Sequence, residues 1–400
     1  MKTGIVLEGG GLRGAYHVGA LQAFKEKNIE IQGVTGVSIG AINGALLALG
    51  KLDLLEELYR SIEPTDVIRG EAGPLVSLDL SEFNYQTLKE LFNAVVETIK
   101  NRGLDITPLR ELLEKYIVEE ELRASPMRYG IGAVDLQALK GVELLLEEIP
   151  EGELIEFILA SAYLPLFKAE KRRYLDGGFY NSIPLDLLIR SGDYDQIFVI
   201  RTGTINPHQS LNRPHVRVIN PSKKTGLTLE FNSETIDRNI KLGYYDTLKI
   251  LEDRPSTPFY LTDVPEDYFQ SVYQAIPKDA LSYILEVFHQ PGHFKRREFR
   301  QVVIPEIGRL LRLKDSDPEV IGLALCEHVA DYLGMDPLRT LTFKDFMNEL
   351  QTHLKSYEPD APDGYIRDRK TIVAKAMMIQ KKTKWMVLTE TLRVILGGQV

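Results

Sequence analysis

The sequence predicts an α/β layered fold with a central, mostly parallel sheet, followed by a mainly helical C-terminal domain. Three observations carry that prediction. Short apolar runs alternate with helical spacings through the first half of the chain. Glycine-rich turns stand at the ends of three of those runs, at Gly9–Gly14, Gly36–Gly40 and Asp176–Gly178. Beyond the linker-like Arg254-Pro255-Ser256-Thr257-Pro258, the apolar residues recur at helical spacing. The expected domains are therefore residues 1–255 and 256–400.

Taken in order, Gly4–Glu8 reads as a buried strand and Ala15–Glu26 as a helix, with the glycine loop between them. Ile31–Thr35 reads as a second strand, and the Ala/Leu-rich Ala41–Leu49 as the helix after it. Leu52–Ile62, Tyr85–Lys100 and Pro108–Tyr116 carry amphipathic helical spacing, the last entered through Asp105-Ile106-Thr107-Pro108. Tyr129–Asp135 and Gly141–Leu146 read as paired strands, Leu154–Ala162 as a helix and Gln196–Arg201 as a buried strand. In the second domain Ile321, Leu325, Val329 and Leu333 recur every four residues. Asp345–Leu354 and Thr371–Leu396 are predicted helices, with a loop at Glu358–Gly364 before the last.

Composition excludes several classes. With 44% apolar and 26% charged residues, the chain is an ordinary globular one with a sizeable core. Its formal charge of -9 argues against a general nucleic-acid binder. The single cysteine, Cys326, excludes an intrachain disulfide and a zinc ribbon and suits a reducing, cytoplasmic setting. No signal peptide is expected, and no run approaches the roughly 18 apolar residues of a membrane span. Any membrane contact is thus expected to be peripheral.

Gly36-Val37-Ser38-Ile39-Gly40, between strand and helix, has the G-x-S-x-G pattern of a nucleophile elbow. A tight turn forces the serine into a strained conformation, so its flanking residues must lack bulk. It also exposes Ser38 Oγ at the positive N-terminal end of the next helix. A serine merely capping that helix would share the pattern. Gly9-Gly10-Gly11-Leu12-Arg13-Gly14 is a strand–glycine loop–helix design whose N–H groups face an anion or oxyanion. It also fits the dinucleotide fingerprint literally, but no helix separates Glu30 from Thr35-Gly36-Val37-Ser38, as that reading requires.

Ser38 needs a base. His17, His208, His215, His289, His293, His328 and His353 are available for a triad, yet none lies in a recognisable loop motif. Asp176 ends a strand-like Tyr174-Leu175 and precedes Gly177-Gly178; a turn aspartate is the ordinary role of such a residue. Three glycine turns at strand ends can converge as nucleophile, base and oxyanion hole.

Those three blocks, in that order, resemble the signature of the patatin-like phospholipase family. Ala160-Ser161-Ala162-Tyr163-Leu164-Pro165-Leu166-Phe167 is similar to the family's A-S-x-x-x-P-x-x-F stretch. The resemblance covers about residues 1–250. It implies a lipid acyl hydrolase with a Ser38–Asp176 dyad and an acyl-enzyme intermediate, acting on a phospholipid or other acyl lipid. It implies an oxyanion loop of Gly10, Gly11, Leu12 and Arg13, framed by Gly9 and Gly14, and a packing role for His17. No cofactor or metal is expected, since calcium-type D-x-[DN]-x-[DN]-G clusters are absent. Two alternatives stay open: a catalytically idle lipid-binding or regulatory scaffold, and an acyltransferase.

Residues 367–393 hold eight basic and two acidic residues and the only tryptophan, Trp385. A basic amphipathic helix with an aromatic anchor suits an anionic lipid surface, whereas a helix packed on its own domain with a solvated basic face gives the same composition.

Overall fold

A computed structural model describes residues 1–69, 105–135, 140–162, 174–176, 183–203, 211–254, 257–288, 299–314, 317–357 and 381–397. The expected helix Tyr85–Lys100, the loop Glu358–Gly364, Gly177, Gly178 and residues 367–380 lie outside the described residues. The chain divides into two compact units, Met1–Asp253 and Arg254–Val400.

In the first unit seven strands form one sheet: β1 (Thr3–Leu7), β2 (Ile31–Val37), β3 (Arg128–Asp135), β4 (Lys140–Leu145), β5 (Tyr174–Asp176), β6 (Gln196–Ile200) and β7 (Val216–Ile219). The order is β4-β3-β2-β1-β6-β7, with β5 added to β3. β1, β2, β3, β6 and β7 run parallel, while β4 and β5 run antiparallel to β3. The first strand lies in the middle, and the chain adds β2 and β3 on one side of it and later β6 and β7 on the other. Such a switch point opens a crevice at the carboxyl ends of the strands, where doubly wound sheets bind ligands.

β1 is buried along its whole length because helices cover both faces of the sheet. On β6 the alternation is plain. Ile197 and Val199 pack with Val6, Leu185 and Leu188, beneath the helix Leu185–Ser191. Phe198 points the other way, edge-on to Phe24 with centroids 4.9 Å apart. Phe24 belongs to α1 (Ala15–Glu26), which shares its face with α2 (Ile39–Ala48), where the Tyr129 hydroxyl of β3 donates to Ala41 O at 2.8 Å.

The sequence assigned no element between residues 201 and 253. The structure places β7 there, and a helix, Ser233–Leu251, capped by Asn232 and packed on α1. The two helices meet backbone to backbone. A Cβ on Gly19 would lie 1.7 Å from Ile240 O, and one on Gly243 would lie 2.0 Å from Tyr16 O.

The second unit is mainly helical, with one small parallel pair, β8 (Tyr260–Thr262) and β9 (Thr340–Thr342), that the sequence did not announce. Its core gathers Phe269, Ile284, Phe299, Leu325, Val329, Phe346, Leu350, Leu388 and Leu392. The helix Lys381–Leu396 therefore turns its apolar face into its own unit. Trp385 packs against that core, stacked on Tyr332 at 5.6 Å and 16°. The ring thus has an aromatic partner within its own unit, as the alternative of a helix packed on its own domain expects. Among the described residues, no helix is long and apolar enough to cross a membrane.

Candidate active site

Ser38 joins β2 to α2 with φ 56° and ψ −126°, a conformation that L-residues adopt only under constraint. The constraint is close backbone approach on both sides. A Cβ on Gly36 would lie 2.2 Å from Gly40 O, and one on Gly40 would lie 2.3 Å from Leu7 O. The turn thus needs glycine at both positions for space. Ser38 O accepts the first helical bonds, from Ala41 N (2.9 Å) and Ile42 N (3.3 Å). Its side chain makes no capping bond to α2, so the serine is not spent as an N-cap.

The Ser38 N–H is held from below. It donates to Ser161 Oγ at 2.8 Å, and Ser161 Oγ donates to Gly132 O at 2.5 Å. Ser161 is fully buried near the end of the helix Leu154–Ala162.

The register of β3 brings the second predicted residue to the same place. β4 occupies one edge of β3 from Gly130 to Asp135. On the other edge β2 pairs up to Val37↔Gly132, and β5 takes over with Asp176↔Ala133. The Asp176 backbone therefore holds the register position next to the point where β2 leaves the sheet at Ser38.

The glycine loop follows β1 at the neighbouring strand end. The buried Glu8 carboxylate accepts from Thr202 N at 2.7 Å and lies 3.3 Å from Arg201 Nη2. The Thr202 hydroxyl donates to Gly9 O at 2.6 Å, so the end of β6 fixes the start of the loop. A Cβ on Gly9 would touch Ser38 Cβ at 3.4 Å, which puts the loop against the serine turn. Gly11 has φ 58°, and a Cβ there would lie 2.2 Å from Thr228 O. Leu12 N–H donates to that same Thr228 O at 2.7 Å. The Leu12 N–H is thus engaged within the protein. Arg13 is buried, with Nε donating to Gly10 O at 3.1 Å, a contact that supports the loop.

Residues 5–189 match the family described as Patatin-like phospholipase. The match spans the glycine loop, Ser38 and Asp176. Residues 5–189 are a patatin-like phospholipase domain. An uncharacterized NTE family protein of Mycobacterium bovis is 26% identical over 188 residues, 46% of this chain and 44% of its own length. A probable lipid hydrolase of Invertebrate iridescent virus 6 is 26% identical over 193 residues, 46% of this chain and 63% of its own length. The chain thus spans about half the length of these curated relatives. Among solved structures, VipD from Legionella pneumophila is 14% identical, with TM-score 0.40, covering 98% of this chain and 91% of VipD.

Within the patatin-like domain His17 is fully buried on α1. It accepts from Asn43 Nδ2 through Nδ1 at 3.2 Å, and burial pushes its imidazole down to about 3. Asn43 also donates to Gly14 O at 3.2 Å and accepts from the Tyr59 hydroxyl at 3.3 Å, joining α1, α2 and α3 (Leu52–Ser61). His17 is neutral and enclosed, as a packing role requires. His215 precedes β7, at the opposite end of the sheet from Ser38, and His328 and His353 belong to the second unit. His208, His289 and His293 lie outside the described residues. Sequence reasoning had not given Thr202, Thr228 or the Ser161 hydroxyl a place at the site. Only Ser161 had a local signal, as a hydroxyl in the otherwise apolar turn Ile158-Leu159-Ala160-Ser161-Ala162.

Proposed function

We propose that the patatin-like domain is a lipid acyl hydrolase, with Ser38 as nucleophile and Asp176 as its base. One observation carries the reading: a serine under backbone constraint, its side chain unspent on capping, turns off β3 where β5 delivers Asp176. Ser38 Oγ attacks the ester carbonyl of a phospholipid or other acyl lipid while the Asp176 carboxylate takes its proton. The tetrahedral intermediate collapses to an acyl-serine, the protonated Asp176 gives its proton to the departing alkoxide, and water, deprotonated by Asp176, resolves the ester.

The oxyanion falls to the N–H groups of Gly10 and Gly11 and to the positive end of α2, because Leu12 N–H is bonded to Thr228 O. An aspartate with an ordinary pKa near 3.9 is a weak base, so close approach to the serine has to supply the catalysis. The dyad needs neither a metal nor a cofactor.

The experiment is incubation with mixed phospholipid vesicles and mass spectrometry of the products, for wild type, Ser38→Ala and Asp176→Asn. Release of free fatty acid by wild type, abolished in both variants while their melting temperatures hold, is the expected result. Acyl chains appearing on an added alcohol instead would make the domain a transferase. No turnover on any acyl lipid would leave it a binding scaffold. Near-wild-type turnover by Asp176→Asn would remove the dyad.

A further inference from the structure

We infer that Ser161 is a positioning residue for the nucleophile, its hydroxyl replacing the ladder hydrogen bond that β2 gives up when the chain turns at Ser38. The inference rests on the reading of Ser38 as nucleophile. In a parallel ladder with Val37 opposite Gly132, the next N–H in register, that of Ser38, would donate directly to Gly132 O. Here the Ser161 hydroxyl stands between the two, accepting from Ser38 N at 2.8 Å and donating to Gly132 O at 2.5 Å.

Three consequences follow from that insertion. A bridging oxygen holds donor and acceptor farther apart than a direct bond near 2.9 Å would, so β2 separates from β3 at this residue. The edge of β3 is then open from Ala133 onward, and β5 occupies it beginning with Asp176. One hydroxyl thereby sets where the nucleophile strand ends and where the strand carrying its proposed base begins. Finally, the Ser38 N–H, buried at a positive-φ residue, would be an orphan donor without this partner. Ser161 is itself fully buried, and its single donor and an acceptor site are both used in this bridge. The bridge ties three elements to the serine turn: the helix Leu154–Ala162, β2 and β3.

The test compares the full chain with Ser161→Ala and Ser161→Cys. Three readouts are taken: melting temperature, steady-state hydrolysis of a short-chain p-nitrophenyl ester, and amide hydrogen exchange of residues 36–40. Ser161→Ala is expected to lower kcat by about tenfold or more with KM within about twofold, since geometry at the reacting atom is lost while the ester site remains. Exchange should quicken at residues 36–40 and stay unchanged in β1 and β6. Ser161→Cys, similar in size but a poorer hydrogen-bonding group, should fall between the two and serves in place of alanine if that variant fails to fold. A folded variant with wild-type kcat and wild-type exchange overturns the inference. So does a loss of activity accompanied by faster exchange throughout β1 and β6, which would mark general loosening. If wild type itself hydrolyses no ester, the functional reading fails, while exchange at residues 36–40 still decides whether Ser161 holds the turn.

Discussion

Ser38 keeps a backbone conformation that costs on the order of 1–3 kcal/mol, and the residues around it are chosen to enforce it. The same economy of space governs the loop beside it. Gly11 has both a positive φ and a carbonyl, Thr228 O, where a side chain would begin. Gly11→Val should therefore displace the loop and cut turnover at least about tenfold, or about 1.4 kcal/mol, in a protein that still folds. Ester hydrolysis beside a thermal melt checks this, and undiminished turnover would exclude the loop from the mechanism. His17 gives a prediction with a sign. Its native pKa of about 3 lies below the unfolded value near 6.5, so between those values only the unfolded chain holds the proton. Its stabilising contribution is complete above about pH 6.5 and is lost as pH falls towards 3, with a slope of up to about 1.4 kcal/mol per pH unit. His17→Gln, whose side-chain oxygen can still accept from Asn43, should make stability less dependent on pH across that window. Urea unfolding of both proteins between about pH 4 and 7 measures it; parallel curves would mean that His17 is protonated in the native state.

At the scale of elements, α1 and the helix Ser233–Leu251 cross backbone to backbone at Gly19 and Gly243. Since α1 begins where the glycine loop ends, this crossing fixes the loop from behind. Gly19→Ala should cost about 3 kcal/mol by overpacking and lower the melting temperature by about 6 °C or more; an unchanged melt would show that the helices can part. The sequence revealed one partner of this joint and not the other. Ala15–Glu26 stands out because a glycine loop precedes it and apolar residues crowd it on every side. Ser233–Leu251 is mostly polar, and its buried residues face a helix more than 200 positions away, so its role has no local mark. β7 is short and half-buried, and β5 is only three residues long. Both are strands because of their partners. At the site the same division holds. The serine turn at Gly36–Gly40 and the glycine loop before α1 were legible because tight turns impose residue types locally. The Thr228 acceptor that occupies Leu12 N–H and the bridge through Ser161 depend on register between distant segments, which spacing along the chain does not encode.

On the scale of the molecule, each unit has its own core, and the single tryptophan belongs to the second. That makes Trp385 a reporter for one unit alone. Its ring lies flat against Tyr332, with Lys384 Nζ 4.8 Å from its centroid, while Leu388 and Leu392 of the same helix fill the core behind it. To enter a lipid surface the ring would have to give up this stack, and the helix part of its packing. The formal charge of -9 over the whole chain also opposes approach to an anionic bilayer except through a local basic patch. Tryptophan emission is therefore expected to be blue-shifted in the native protein, to move red in Tyr332→Ala, and to stay unchanged when anionic vesicles are added at low salt. A further blue shift on vesicles, lost on charge reversal of Lys381, Lys382 and Lys384, would show instead that Trp385 leaves Tyr332 for the lipid, and would make this helix the membrane-facing element.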